Sequence, residues 1–403
     1  MRVSRVPASP EPESAPEGAI RTVTSPPHVD VVCLGESMVT FLPSRPGRLA
    51  DVPAFERAIG GAESNVACTL AGAGHSTRWV SRVGADGFGD HLVRTIAAAG
   101  VDTGAVQRDP HRPTGVYFRT DGERATTAGQ PAAVQPAVQS TAEVAYYRAG
   151  SAASAMAPGT VDLDAARSGR ILHLTGITAA LSADCLALTR TLTAPYEGRP
   201  LVSFDVNYRV GLWRSPADPR VLLELARGCD LVFVGEDEAE AAWGVTGGPD
   251  ALRAALPEPE TLVVKHGAEG ATAFVREVAP ERGGGAAGDG APERDAAHGS
   301  GAADGRAPDR RVRVPALRVD VVASVGAGDA FAAGFLSATL RGLPLRDRLR
   351  HGHLLAAAAL TVPGDLAEPP ARDAADRLVA LDAEAWGTLR LGPGWTTEKA
   401  IAP

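Results

Sequence analysis

Short apolar runs recur along the chain, each closed by glycine or a polar residue. They are VDVVCLGES (29–37), RWVSRVG (78–84), RILHLTG (170–176), LVSFDVN (201–207), LVFVGE (231–236) and TLVVKHG (261–267). Runs this short and this rich in β-branched residues predict strands buried on both faces. Most are separated by helix-length segments with spaced apolar positions: ESNVACTLAGAG (63–74), FGDHLVRTIAAAG (88–100), ADCLALTRTLTAP (183–195) and DPRVLLELARGC (218–229). Strands alternating with helices predict an α/β fold, a doubly wound and mostly parallel sheet with helices on each face.

Two regions break the alternation. About residues 39–58 and 112–150 read as strands without intervening helices, and they predict a small β-sheet lid over one end of the main sheet. ATAFVR (271–276) and VRVPAL (312–317) read as a hairpin around a low-complexity stretch of Gly, Ala, Pro, Asp and Arg, a surface insertion expected to be disordered over 277–311. Residues 1–28 read as a disordered leader, 29–376 as one domain and 377–403 as a C-terminal tail.

Charge and composition narrow the class. The 403 residues carry 48 Asp and Glu against 40 Lys and Arg, with no basic stripe, so nucleic acid is not an expected partner. The apolar run Leu354 to Val362 is too short for a membrane span, and the leader lacks the apolar core of a signal peptide. The four cysteines, Cys33, Cys68, Cys185 and Cys229, are scattered, as expected of reduced thiols in a cytoplasmic protein.

The candidate chemistry starts at VGAGDAF (325–331). Ala330 to Leu340 reads as a helix, which makes this glycine-rich turn a helix N-terminus. Backbone N–H groups of Gly326, Ala327 and Gly328 would point at one spot, and the helix dipole favours negative charge there. Asp329 falls in the first turn, where a carboxylate can serve as a base or simply cap the helix. The first strand ends in GES and not in a GxGxxG turn, which argues against dinucleotide binding.

The order of motifs resolves more than the turn does. GGAESNVACTLAGAG (60–74), SRVGADGFGD (81–90), VVKHGAEGA (263–271) and VGAGDAF, in that order, resemble the phosphofructokinase B family, the ribokinase-like sugar kinases. The resemblance runs from about Val29 to about Asp365. Within that family the 2-keto-3-deoxygluconate kinases fit best, on GGAESNVA, WVSRVGADGFG, PTGVYF, YYRAGSAAS, LHLTGITAALS and FDVNYRVGLW. A sugar acid needs cationic side chains to pair its carboxylate as it leaves water, and Arg148 and Arg209 in these motifs are the candidates.

The resemblance implies a role for each matching residue. Asp329 would be the general base, and Gly326, Ala327 and Gly328 the anion hole for the transferring phosphoryl group. Gly60, Gly61 and Asn65 would contact sugar hydroxyls, with Tyr117, Tyr147 and Arg148 reaching down from the lid and Arg209 coming from a core strand end. Lys265, Gly267, Gly270 and Gly328 would border ATP, and Glu238 would organise Mg2+ through water. A homo-oligomer formed through the lid is also implied. The activity implied is ATP-dependent phosphorylation of 2-keto-3-deoxygluconate to its 6-phosphate.

The chain departs from the family twice. Ala323 stands where an Asp that helps bind a monovalent cation is common, which puts potassium activation in doubt. Gly235 replaces the Asn of an NxxE motif whose Glu238 remains. A kinase for a neutral sugar such as fructose, or a non-catalytic sugar-binding regulator on the same fold, stays open at this level.

Overall fold

The computed structural model describes residues 28–120, 143–213, 219–276 and 309–397. The strands in chain order are β1 (Val29–Leu34), β2 (Met38–Pro43), β3 (Phe55–Gly60), β4 (Thr77–Val80), β5 (Arg82–Gly84), β6 (Gln107–Asp109), β7 (Val116–Arg119) and β8 (Val144–Tyr147). They continue with β9 (Gly169–Thr175), β10 (Leu201–Asp205), β11 (Leu231–Gly235), β12 (Thr261–Lys265), β13 (Ala271–Arg276), β14 (Asp309–Val314), β15 (Arg318–Val319) and β16 (Arg390–Leu391).

Eight of these form the main sheet, in the order β14-β13-β12-β11-β10-β9-β1-β4. From β4 to β12 all neighbours run parallel, and β13 and β14 close one edge antiparallel. Alternation along each strand explains why the runs lack a polar face. Val31, Cys33 and Phe233 belong to one core cluster, and Val32, Leu34, Val232 and Val234 to the other. The first cluster packs against the helices Ala62–Gly72, Ala327–Leu340 and Leu345–Leu360. The second packs against Ala183–Thr193 and Arg220–Arg227. Both faces are therefore covered, and the strand interiors are mostly apolar, with buried polar exceptions such as His173 and Ser203, which hydrogen-bond each other at 3.0 Å.

The second sheet has the order β3-β2-β7-β8 and stands apart from the first. Its register pairs Thr40 with Tyr117, and Tyr117 with Tyr146. β7 and β8 lie within the second segment that broke the alternation, and β2 and β3 overlap the first but reach from Met38 to Gly60.

Two boundaries differ from expectation. Residues 309–311 belong to β14, whose Asp309 takes a bidentate ion pair from Arg253 (2.6 and 2.7 Å), so the insertion ends before them. The remainder of that insertion and residues 1–27 of the expected leader lie outside the described residues. Residues 377–397 are not a tail. The helix Ala383–Thr388 buries Trp386, β16 pairs with β15, and Trp395 is buried behind them. Trp386 donates its Nε1–H to the carbonyl of Pro315 at 3.1 Å, and the Arg350 guanidinium lies 4.6 Å from its ring centroid. The elements of this segment are short, a six-residue helix and a two-residue strand, and much of its burial rests on two large tryptophan rings.

All four cysteines are free and buried. Among the described residues no helix is long and apolar enough to cross a membrane.

Candidate active site

The C-terminal ends of the parallel strands carry the polar residues, which is where open α/β sheets hold their ligands. Gly326 caps the helix Ala327–Leu340 with φ +80°, a left-handed conformation. A Cβ there would also stand 2.2 Å from the backbone oxygen of Asp365, so shape and conformation both demand glycine. Asp329 follows in the first helical turn. The helices Ala62–Gly72 and Ala327–Leu340 pack side by side, and this brings together residues 264 positions apart: Asn65 Nδ2 donates to Asp329 Oδ2 at 2.8 Å. The Asn65 side-chain oxygen, Oδ1, is buried without a protein partner, an acceptor free for a ligand hydroxyl.

Burial lifts the Asp329 carboxyl to about 7, the Asn65 bond and Arg209 work against that, and the like charges of Asp205 and Asp365 add to it. A carboxylate tuned near neutral pH can take a proton and give it up again.

Gly60 ends β3 and Gly61 caps the helix Ala62–Gly72. A Cβ at Gly60 would meet the Tyr117 hydroxyl at 2.2 Å and Asp365 Oδ2 at 2.7 Å, which requires glycine for close approach. Tyr117 is buried, with its hydroxyl donating to Asp365 Oδ2 at 3.1 Å. Tyr147, expected beside it, points to the opposite face of the lid and is 66% exposed. Tyr146 takes the place opposite Tyr117, with ring centroids 5.4 Å apart. Two adjacent tyrosines gave no sign in sequence of which one faces inward, since one residue of register exchanges them.

The two arginines differ in setting. Arg148 is partly buried, its side chain 10% exposed, and is ion-paired with buried Glu36, which also accepts from Ser151 Oγ at 2.7 Å. Its charge is thus matched inside the protein. Arg209 stands at the rim, 38% exposed, with Nη1 3.6 Å from Glu238 Oε1 and donating to the carbonyl of Tyr208 at 2.9 Å.

Lys265 does not project free toward a nucleotide. Its Nζ sits 2.9 and 3.0 Å from the two oxygens of buried Asp205 and 3.8 Å from Glu238. Burial depresses the ammonium, and Asp205 with Glu238 more than reverse that, so it stays charged. Gly267 and Gly270 flank the short turn between β12 and β13.

Glu238 accepts from the Gly235 amide at 2.8 Å, which caps the helix Glu236–Trp243. Among the described residues no three carboxylate, histidine or cysteine side chains gather as a metal cage. With Arg209 and Lys265 beside it, Glu238 could hold a magnesium ion only through water.

Several residues of the site stood in the motifs without being singled out. Asp205 and Asn207 lie in FDVN, and Glu36 in GES; a polar residue at the end of an apolar strand run was the available signal. Asn207 has φ +41° and donates its backbone N–H to Asp205 Oδ1 at 3.2 Å. Glu63 is fully buried and accepts from Thr175 and Thr178 hydroxyls at 2.8 and 2.7 Å, which tie the start of its helix to the end of β9. Burial raises its pKa, the two hydroxyls opposing.

A buried carboxyl thus sits beside a left-handed glycine turn at a helix N-terminus, close to the small sheet. The profile of the pfkB family carbohydrate kinases matches residues 29–282 and 294–372, and the chain belongs to that family. It is 31% identical to the 2-dehydro-3-deoxygluconokinase of Bacillus subtilis, over 86% of this chain and 94% of the relative. It is 30% identical to a probable chloroplastic fructokinase-6 of Arabidopsis thaliana, over 82% of this chain and 77% of the relative. The crystal structure of a PfkB protein from Polaromonas sp. JS666 superposes with a TM-score of 0.66 at 31% identity, covering 88% of this chain and all of that one. A Pyrococcus horikoshii sugar kinase crystallised with ATP shares the fold, with a TM-score of 0.65 at 22% identity, over 85% of this chain and 96% of that one. The chain is a carbohydrate kinase of the ribokinase-like fold.

Proposed function

We propose that this kinase phosphorylates 2-keto-3-deoxygluconate at its terminal hydroxyl with ATP, in the cytoplasm. The observation that carries the phosphoryl transfer is the hydrogen bond from Asn65 to Asp329 beside the Gly326 turn. Asn65 holds one carboxylate oxygen, so the other is available to the attacking hydroxyl. Asp329 takes that proton as the oxygen closes on the γ-phosphate. Amides of Gly326, Ala327 and Gly328 face the charge that builds on the phosphoryl oxygens. Magnesium, held through water from Glu238, would neutralise phosphate charge when ATP is bound. Lys265, Gly267 and Gly270 border the nucleotide side, with Lys265 acting through Asp205.

The sugar acid is supported by Arg209. Its contact with Glu238 is loose and half-open, so the guanidinium can turn to a substrate carboxylate. Arg209→Ala is expected to raise KM for the sugar acid strongly and to change kcat little, a loss of about 2 to 5 kcal/mol in binding if the pair is buried on closure. Gly60, Gly61, Asn65 and Tyr117, with Tyr146 in place of Tyr147, line the hydroxyl-bearing part.

A second reading has an observation of its own. Arg148 is neutralised by Glu36, so one of the two expected carboxylate ligands is already occupied, as a neutral-sugar site would allow. Fructose is that sugar. A coupled ADP-release assay with 2-keto-3-deoxygluconate, its galactonate epimer, fructose and ribose separates the two. Turnover confined to the 3-deoxy sugar acids supports Arg209 as the selector; preference for fructose overturns it and leaves Asp329 as the base.

The lid also supports pairing of two copies. Phe41, Phe55 and Phe118 form an aromatic row that ends in exposed Tyr147 on the face away from Tyr117. Tyr147→Lys is expected to shift a dimer toward monomer in sedimentation.

A further inference from the structure

Asp365 belongs to none of the sequence motifs. It lies in the loop between the helices Leu345–Leu360 and Arg372–Val379, yet three parts of the site converge on it. From the lid, the Tyr117 hydroxyl donates to Oδ2 at 3.1 Å and Arg119 Nη2 stands 3.2 Å from Oδ1. The same Arg119 nitrogen donates to the carbonyl of Pro363 at 2.9 Å. From the sugar side, Gly60 approaches so closely that a Cβ would come 2.7 Å from Oδ2. From the anion turn, Gly326 faces the backbone oxygen of Asp365, where a Cβ would come to 2.2 Å. The Arg119 and Asp365 side chains are 9% and 5% exposed, so water is excluded from the contact.

One residue is thus gripped by the lid through its side chain and forms the wall behind Gly326 through its backbone. Moving the side chain moves the wall. Gly326 has no Cβ to resist, and the turn it begins supplies the amides proposed to stabilise the transferring phosphoryl group.

We propose that Asp365 is a positioning residue that couples the lid strand β7, through Arg119 and Tyr117, to the geometry of the Gly326–Gly328 turn. This rests on the reading of Asp329 and that turn as the transfer machinery, and it is independent of which sugar is used. Because donors misplaced by about 1 Å can cost on the order of a hundredfold in rate, a loosened wall acts on kcat and spares nucleotide affinity.

The test is a double-mutant cycle on the full chain, with Arg119→Gln, Asp365→Asn and both, assayed at saturating ATP and whichever sugar the wild type turns over. Each single variant is expected to lose roughly tenfold or more in kcat, with KM for ATP within about twofold. The double variant is expected to be no slower than the slower single. Additive losses overturn the coupling, as does a fall in Tm with kcat intact. Arg119→Lys guards against misfolding: it keeps the buried charge but cannot hold Pro363 and Asp365 together. It is expected to keep its Tm and lose kcat, and equal kcat overturns the proposal. Asp329→Ala runs in parallel. Turnover surviving in that variant overturns the reading of the base; with it silent, a failed cycle overturns the lid-to-turn contact alone.

Discussion

Asp329 carries two opposed demands. Burial and the neighbouring charges of Asp205 and Asp365 raise its carboxyl to about 7, while Asn65 and Arg209 favour the charged form. A base must be ionised to accept a proton, so kcat is expected to rise with pH through about 7 and to level off above it. Stability runs the other way. Between the ordinary carboxylate value and about 7 the unfolded chain is ionised at this position and the folded chain is protonated, so stability falls as pH rises across that window. Asp329→Asn keeps an acceptor for Asn65 and cannot ionise. It is expected to abolish turnover and to raise Tm relative to wild type at pH 8, with the gain absent at pH 4, checked by thermal melts at both. The same residue would then be a stability cost retained for function. Gly326→Ala is expected to fold less stably by about 1–2 kcal/mol and to lose most of its activity, because the left-handed backbone and the Asp365 wall both reject a methyl group.

At the scale of elements, the ends of β10, β11 and β12 bring Asp205, Glu238 and Lys265 together with Arg209. Each charge in this group is held by its neighbours, since the strand ends are only partly open to water. Lys265→Met would leave Asp205 buried without its cation and is expected to cost about 3 kcal/mol by urea unfolding, before any effect on ATP. The small sheet shows how finely strand register decides which side chains meet. Tyr117 and Arg119 share a face because a strand alternates with period two, and both reach Asp365. A shift of one residue in β8 would exchange Tyr146 and Tyr147 between the inner and outer faces. Tyr146→Phe is therefore expected to alter sugar KM more than Tyr147→Phe does.

For the whole molecule, the segment after 376 completes the core that backs the site. Trp386 and Trp395 are buried, and β16 joins β15 just before the loop that leads to Gly326. Trp386→Ala is expected to cost on the order of 3 kcal/mol, read as a lower urea midpoint, through the cavity left under Arg350 and the lost bond to Pro315. A chain cut at 376 is expected to be poorly folded for the same reason.

The alternation of elements, the parallel sheet, a second small sheet, the family resemblance and the turn bearing Asp329 were all legible in the chain of residues. The elements and the turn follow from local periodicity and from glycines at helix entries, which neighbouring residues encode; the family rested on the resemblance of ordered motifs. The partners of these residues emerge only when the chain is folded. Arg148 joins Glu36, Lys265 joins Asp205, Tyr146 shares a sheet face with Tyr117, and Asp365 meets Tyr117, Arg119 and Gly326 at once. Such contacts join residues far apart in the chain, and a burial pattern can say that a charge lies inside but not which distant charge meets it there. The same separation explains the missed Trp386 and Trp395, whose burial depends on β15 and the helix Leu345–Leu360 rather than on anything adjacent to them.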